Sequence, residues 1–400
     1  MIRRGIYERL LALLANNPAA VLLGPRQIGK TTLALDLAEE LNGVYRDLES
    51  SRDLDQVRDI ELFHEQYPDR FIILDEVQRA PEIFAPLRGI IDRRRRAGQR
   101  TGQFLFLGSA SLELLGQTSE SLAGRVAYAE LAGIDILEMA ASGLADYDDS
   151  HLWLRGGYPD SLMATDDAAS MRWRLDIIRS YLERDVPQFG FRVPAETLRR
   201  FWTMLAHHQG GLLNAAALAE GLGLSGQSIA RYLDILVDLL LVRRLMPWHE
   251  NVGKRLVKSP KIYVRDSGLL HALLAIETKD DLLGHPIIGA SWEGFVIENL
   301  IDQSWSSHWQ PYFYRTQAGA EIDLILVRGG KPEVAIEIKR ASAPKARKGF
   351  HIACDDLKIA HRYIAYPGNE AYRQNEGQIW VAPLADLMKV LRDRKGLSFG

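Results

Sequence analysis

Eight residues, GPRQIGKT from Gly24 to Thr31, constrain this chain more than any other stretch. They follow the apolar run VLL and open the helical pattern TTLALDLAEEL, so a buried strand must pass into a helix through a glycine-bracketed loop. The spacing fits GxxxxGK[ST], and each residue type has a reason to be there. Glycines let backbone N–H groups close around phosphate oxygens, while the helix start adds the positive end of its dipole. Lys30 is expected to reach the β and γ phosphates and Thr31 to ligate Mg²⁺. The expected nucleotide-binding residues are therefore Gly24, Pro25, Arg26, Gln27, Ile28, Gly29, Lys30, Thr31 and Thr32.

A second element supports the first. FIILDE, Phe71 to Glu76, reads as a buried strand ending in two acids. At the carboxyl end of a parallel strand such a pair lies beside the phosphate loop, where Asp75 can hold the Mg²⁺ shell and Glu76 can orient or deprotonate water. FLFLGSAS places Ser109 and Ser111 beyond another strand at the same edge, either to sense a γ-phosphate or to satisfy a strand-end turn. Arg125, in SLAGRV, is a candidate to neutralise transition-state charge in cis or from a neighbouring subunit. Strand-like runs alternating with helical ones from Ala19 to about Ile134 predict an α/β domain with a parallel sheet.

Length and composition bound the rest. Four hundred residues predict two to four domains, and 47% hydrophobic with 25% charged residues excludes disordered and fibrous classes. A net charge of -3 leaves no overall basic field for nucleic acid, so any such contact must be local. Cys354 is the single cysteine, which excludes an intrachain disulfide and suits a reducing compartment. Glu8 and Arg9 interrupt the apolar stretch after Met1-Ile2-Arg3-Arg4, and no run reaches membrane-spanning length, so a soluble, cytoplasmic protein is expected. The expected divisions are 1–135, 136–193, 194–265 and 266–400.

GPRQIGKT, DEVQ at 75–78, GSAS at 108–111 and LAGR at 122–125 together resemble the prokaryotic AAA+ ATPase family with a C-terminal domain of unknown function. The resemblance continues through GGYP at 156–159, YLERDV at 181–186, KSPKIYVRDSGLL at 258–270 and SWEGFVIENL at 291–300. It implies ATP and Mg²⁺ as cofactors, Lys30, Thr31, Asp75 and Glu76 as the ATPase residues, Ser109 as a sensor and Arg125 as an arginine finger. A homo-oligomer is implied with them.

Three helical patterns span 197–242, with a glycine-containing turn between the second and third, which is helix-turn-helix spacing. From Arg243 to Arg265 follow Arg243, Arg244, Lys254, Arg255, Lys258, Lys261 and Arg265 against Glu250 alone. A basic hairpin after three helices resembles a winged helix, whose third helix would enter a major groove while the hairpin meets phosphates. That helix offers only Gln227, Ser228 and Arg231 as reading heads, so a protein-interaction module is the competing expectation.

EIDLILVRGGKPEVAIEIK, Glu321 to Lys339, reads as two strands around a turn. A hairpin centred on Gly330 would set Asp323 opposite Glu337, and two facing carboxylates repel unless a cation lies between them. The pattern resembles PD-(D/E)xK nucleases, with Asp323, the Glu337-Ile338-Lys339 element, and Glu293 as the helical acid, Glu298 being the second choice. The resemblance implies a metal on Glu293, Asp323 and Glu337, with Lys339 stabilising developing charge. The same register also allows a plain Glu321 to Lys339 ion pair. DNA is the expected partner, through Arg243 to Arg265 and through Lys339, Arg340, Lys345, Arg347 and Lys348; a protein partner is the alternative.

Overall fold

The computed structural model describes residues 2–109, 122–144, 148–188, 193–249, 256–304, 308–393 and 397. The chain divides into two compact units, Met1–Ile134 with Asp238–Leu240, and Asp135–Val237 with Leu241–Gly400. Each has its own hydrophobic core.

The first unit is a five-stranded sheet of β1 (Ala19–Gly24), β2 (Val44–Asp47), β3 (Ile72–Asp75), β4 (Phe104–Ser109) and β5 (Val126–Glu130), in the order β2-β3-β4-β1-β5. All four pairings are parallel. Every residue of β1 and β4 is buried, as expected of strands covered on both faces. The helices are α1 (Ile6–Asn16), α2 (Lys30–Glu40), α3 (Ser51–Val57), α4 (Ile60–Gln66) and α5 (Phe84–Arg96). Phe84, Leu87 and Ile91 of α5 join Ile72, Leu74, Phe104 and Phe106 in the core. Gly24 pairs with Ser109, and Asp75 ends the adjacent β3, so the carboxyl ends of β1, β3 and β4 form one edge. In parallel sheets ligands bind at that edge.

The second unit opens with helices Ile136–Ala141, Asp149–Arg155 and Asp167–Ser180. Helices Ala195–His207, Ala215–Leu222 and Gly226–Asp238 follow, then the antiparallel pair β6 (Val242–Leu245) and β7 (Lys261–Val264). Helices Ser267–Leu273 and Ile288–Ser304 lead into β8 (Gln310–Arg315), β9 (Glu321–Arg328), β10 (Lys331–Ile338), β11 (His361–Tyr366), β12 (Tyr372–Gln374) and β13 (Ile379–Pro383). Their order is β12-β13-β11-β10-β9-β8, antiparallel from β8 to β10 and parallel from β10 to β13. Helix Lys348–Asp356 connects β10 to β11.

The β9–β10 turn is not centred on one residue. Arg328 pairs with Lys331 across Gly329 and Gly330, whose φ of 57° and 77° suit a two-residue turn that splays least. A bulge between Pro332 and Val334 then adds one residue, so Ile336 pairs with Leu324. The next step of that register sets Glu337 opposite Asp323. The expected opposition arises from a turn and a bulge that compensate each other.

Candidate functional site

The loop after β1 bends because Gln27 and Gly29 take left-handed φ values of 59° and 102°. A residue with a Cβ is strained there, and glycine is not. Lys30 is buried, and its Nζ donates to the Gly24 and Pro25 carbonyls at 2.8 and 2.9 Å. The loop therefore curls around its own lysine at the start of α2, as a phosphate cradle requires. Arg26 pairs with Glu49 at 3.4 Å, Ile28 is buried, and Thr32 is exposed.

Across the edge, the Thr31 hydroxyl donates to Asp75 Oδ2 at 2.7 Å, and the Tyr45 hydroxyl donates to the same oxygen at 2.9 Å. Burial raises the Asp75 carboxyl, and the two hydroxyl donors oppose that rise. Thr31 and Asp75 thus bring a hydroxyl and a carboxylate together beside the phosphate loop, a donor set that fits magnesium. Glu76 takes left-handed φ and ψ of 50° and 43°, which is strained for a residue with a Cβ. Its Oε2 accepts from Ser109 Oγ at 3.0 Å and from Gln78 Nε2, which also donates to Ser109 Oγ at 3.1 Å. Ser111 lies outside the described residues.

Arg125 is placed elsewhere. Its backbone carbonyl accepts from Ala19 N at the amino-terminal end of β1, whereas the phosphate loop leaves the other end. Five residues of strand separate the two ends, roughly 16 Å at 3.3 Å per residue. A role in cis is excluded by that distance. The guanidinium is bidentate to Asp92 on α5, with both contacts at 2.9 Å, and donates to the Ala123 carbonyl at 2.8 Å.

Sequence reading passed over three neighbours of this site. Arg4 donates to the Ile28 carbonyl at 3.1 Å and the Ala132 carbonyl at 2.6 Å, tying the phosphate loop to the chain beyond β5. No local pattern marks Arg4. Tyr45 stood in the strand run VYRDLE and Gln78 in DEVQ, where a polar residue so close to the acid pair was a usable signal.

In the second unit the cation among the carboxylates is a lysine. Lys261 of β7 is 4% exposed, with Nζ 3.0 Å from Glu321, 3.1 Å from Glu293 and 3.8 Å from Asp323. The Tyr263 hydroxyl also donates to Glu293, at 2.6 Å. Burial alone would lower the lysine's pKa, and the three carboxylates reverse that and raise it. Burial and Glu293 push the Asp323 carboxyl up to about 7, against the pull of Lys261. Asp323 also accepts from Ile338 N at 2.9 Å. Glu337 instead accepts from Lys339 Nζ at 2.5 Å and Arg347 N at 3.1 Å. Glu321 therefore pairs with Lys261 and not with Lys339. Among the described residues no group of three or more His, Cys, Asp or Glu is arranged to hold a metal ion. The metal expected on Glu293, Asp323 and Glu337 gives way to an internal ammonium group, which balances the acids from another strand.

The basic run is also largely paired. Arg243 and Arg265 both bind Glu298, with Oε2 2.7 Å from Arg243 Nη2 and 2.9 Å from Arg265 Nε, so Glu298 serves as a counter-ion. Burial would raise the Glu298 carboxyl, and the two guanidiniums hold it below its ordinary range. Arg244 pairs with Asp234 at 2.5 Å. Lys254 and Arg255 lie outside the described residues, and Lys258 is exposed. In the later cluster Arg340 lies over the Trp153 ring at 5.3 Å, while Lys345, Arg347 and Lys348 are exposed.

Family models match three successive segments of the chain. Residues 16–140 match an AAA domain, 148–280 a Domain of unknown function (DUF8612), and 288–387 a Domain of unknown function (DUF4143). Among solved structures, the Walker-type ATPase PABY2304 of Pyrococcus abyssi is 16% identical, covering 68% of this chain and 96% of its own, with a TM-score of 0.49. The Thermotoga maritima RuvB Holliday junction branch migration motor is 18% identical, covering 60% and 88%, with a TM-score of 0.31. Both lie below the similarity at which shared function follows. No described helix is long and apolar enough to cross a membrane. Two uncharacterized proteins, Rv2008c of Mycobacterium tuberculosis (strain ATCC 25618 / H37Rv) and Mb2031c of Mycobacterium bovis (strain ATCC BAA-935 / AF2122/97), are each 43% identical over 373 residues, or 92% of this chain and 81% of theirs. The chain belongs to the family of Rv2008c and Mb2031c, in which an AAA-type P-loop domain precedes domains of unknown function.

Proposed function

We propose that the chain is a Mg²⁺-dependent AAA+ ATPase that hydrolyses ATP to ADP and phosphate, and that nucleotide state governs a partner which residues 135–400 hold without cutting. One observation carries the ATPase reading: Thr31 and Asp75 meet at 2.7 Å, and Glu76 and Ser109 meet at 3.0 Å, on the sheet edge that bears the Lys30 loop. With nucleotide bound, Lys30 would exchange the loop carbonyls for the β and γ phosphates, Thr31 and Asp75 would hold the metal, and Glu76 would accept a proton from the attacking water. Magnesium bound with the nucleotide supplies charge neutralisation at the phosphates. Arg125, too far for its own nucleotide, serves a neighbouring subunit of a homo-oligomer once Asp92 releases it.

Helices 195–238 with β6 and β7 support a winged-helix-like module, and β8 to β11 with the 348–356 helix support a nuclease-like one. Lys261 within the acid cluster favours holding over cleavage. The exposed Lys345, Arg347 and Lys348 favour DNA as the second reading of what is held, through phosphate contacts. The test is ATP turnover with and without duplex DNA. Lys30→Ala should lose nucleotide binding, and Glu76→Gln should keep binding while turnover falls about 10²- to 10³-fold. Equal turnover in Glu76→Gln removes the assigned base. DNA-stimulated turnover supports the second reading, and its absence leaves a protein partner.

A further inference from the structure

The geometry points to Gln78 as the residue that positions the catalytic Glu76, a role that rests on the ATPase reading above and deepens it. Gln78 Nε2 donates both to Glu76 Oε2 and to Ser109 Oγ, and Ser109 Oγ donates to the same Glu76 oxygen, closing a three-membered ring of hydrogen bonds. The carboxylate accepts only, so the amide nitrogen has to face it, which fixes the orientation of the Gln78 carboxamide. Gln78 thereby commits Glu76 Oε2 to two donors and leaves Oε1 as the oxygen for water.

Two further observations separate this from ordinary packing. Gln78 Oε1 is buried and has no hydrogen-bond partner among the described residues, so the polar contacts of this side chain that the structure shows all run through Nε2 to Glu76 and Ser109. Glu76 itself holds a left-handed backbone, with its N–H donating to Asp75 Oδ1 at 2.9 Å, so its side chain leaves a strained peptide and needs an outside group to fix its direction. Ser109 lies beside Gly24 in the sheet register, which puts the ring next to the phosphate loop. A γ-phosphate that recruits the Ser109 hydroxyl removes one of the two donors on Glu76, and Gln78 keeps the carboxylate aimed while that exchange occurs.

The test is the variant Gln78→Met, which keeps the length of the side chain and removes its hydrogen bonds. The expected result is a 10- to 100-fold fall in kcat for ATP, with KM and nucleotide Kd within twofold of the unmodified chain. Tm should stay close to that of the unmodified chain. In a Glu76→Gln background the same change should have no further effect, since it acts through that carboxylate. A raised KM with unchanged kcat, a lowered Tm that accounts for the lost rate, or a multiplicative loss in the Glu76→Gln background overturns the proposal. Turnover of the unmodified chain that survives Gln78→Met overturns the positioning role alone. No turnover in the unmodified chain overturns the ATPase reading and this inference with it.

Discussion

Lys261 shows how one residue can change what a cluster of acids is able to do. Glu293, Glu321 and Asp323 would repel one another at such close range, and an ammonium within 3.0 to 3.8 Å of all three offsets that repulsion without a metal. The cluster has a consequence for pH. The folded Asp323 carboxyl, at about 7, binds a proton that an unfolded carboxyl of 3.8 has already released, so its contribution to stability falls as pH rises between those values. His271 acts the other way. Burial lowers it from 6.5 to about 3, so the unfolded chain binds the extra proton and stability rises with pH across that range. Each tilt is at most about 1.4 kcal/mol per pH unit, and the two largely cancel between pH 4 and 6.5. Urea unfolding at pH 4.5 and 6.5 should therefore show stability that rises more with pH in Asp323→Asn than in the unmodified chain, and rises less, or falls, in His271→Gln. A change of slope in the same direction in both variants, relative to the unmodified chain, would refute the assignment.

Elements were more legible than their partners. GPRQIGKT and FIILDE revealed a loop and a strand end because their chemistry is local, whereas the hairpin register centred on Gly330 was reached only because a bulge offsets the two-residue turn. The bulge at Glu333 left no mark in the alternation of the sequence; there Glu333 accepts from Trp309 Nε1 at 2.8 Å, a partner 24 residues away, and from Arg328 Nε at 3.0 Å. Lys261 was counted as one more cation in a basic hairpin because sequence does not show which strand a side chain will meet. The same holds for β6 and β7, whose arginines read as a phosphate surface until Glu298 of the 288–304 helix is seen between Arg243 and Arg265. That helix-to-hairpin clamp should matter for stability. Glu298→Gln would leave two part-buried guanidiniums without a counter-charge, and a loss of about 3–5 kcal/mol is expected from a buried pair deprived of one partner. Chemical denaturation monitored at the second unit checks this, and a loss under 1 kcal/mol would mark the clamp as a surface contact.

At the scale of the molecule, two units with separate cores give nucleotide binding a location that calorimetry can read. A ligand that binds only the folded form stabilises it by RT ln(1 + [L]/Kd), about 2.7 kcal/mol at a hundredfold excess over Kd. The first unit holds every residue assigned to the phosphate loop and the acid edge, so that gain belongs to its transition. For a domain of this size it amounts to a rise in Tm of roughly 5 to 11 °C. Differential scanning calorimetry with Mg²⁺ and ADP should move one transition by that amount and leave the other in place. Lys30→Ala should abolish the shift, while Lys261→Met should lower the other transition and leave the nucleotide response intact. If both transitions move together, the units are energetically coupled on binding, and a route from the phosphate edge to the acid cluster becomes the next thing to find. If neither moves at millimolar nucleotide, the buried Lys30 prefers its own loop carbonyls to phosphate, and the first unit is a P-loop fold that does not bind nucleotide.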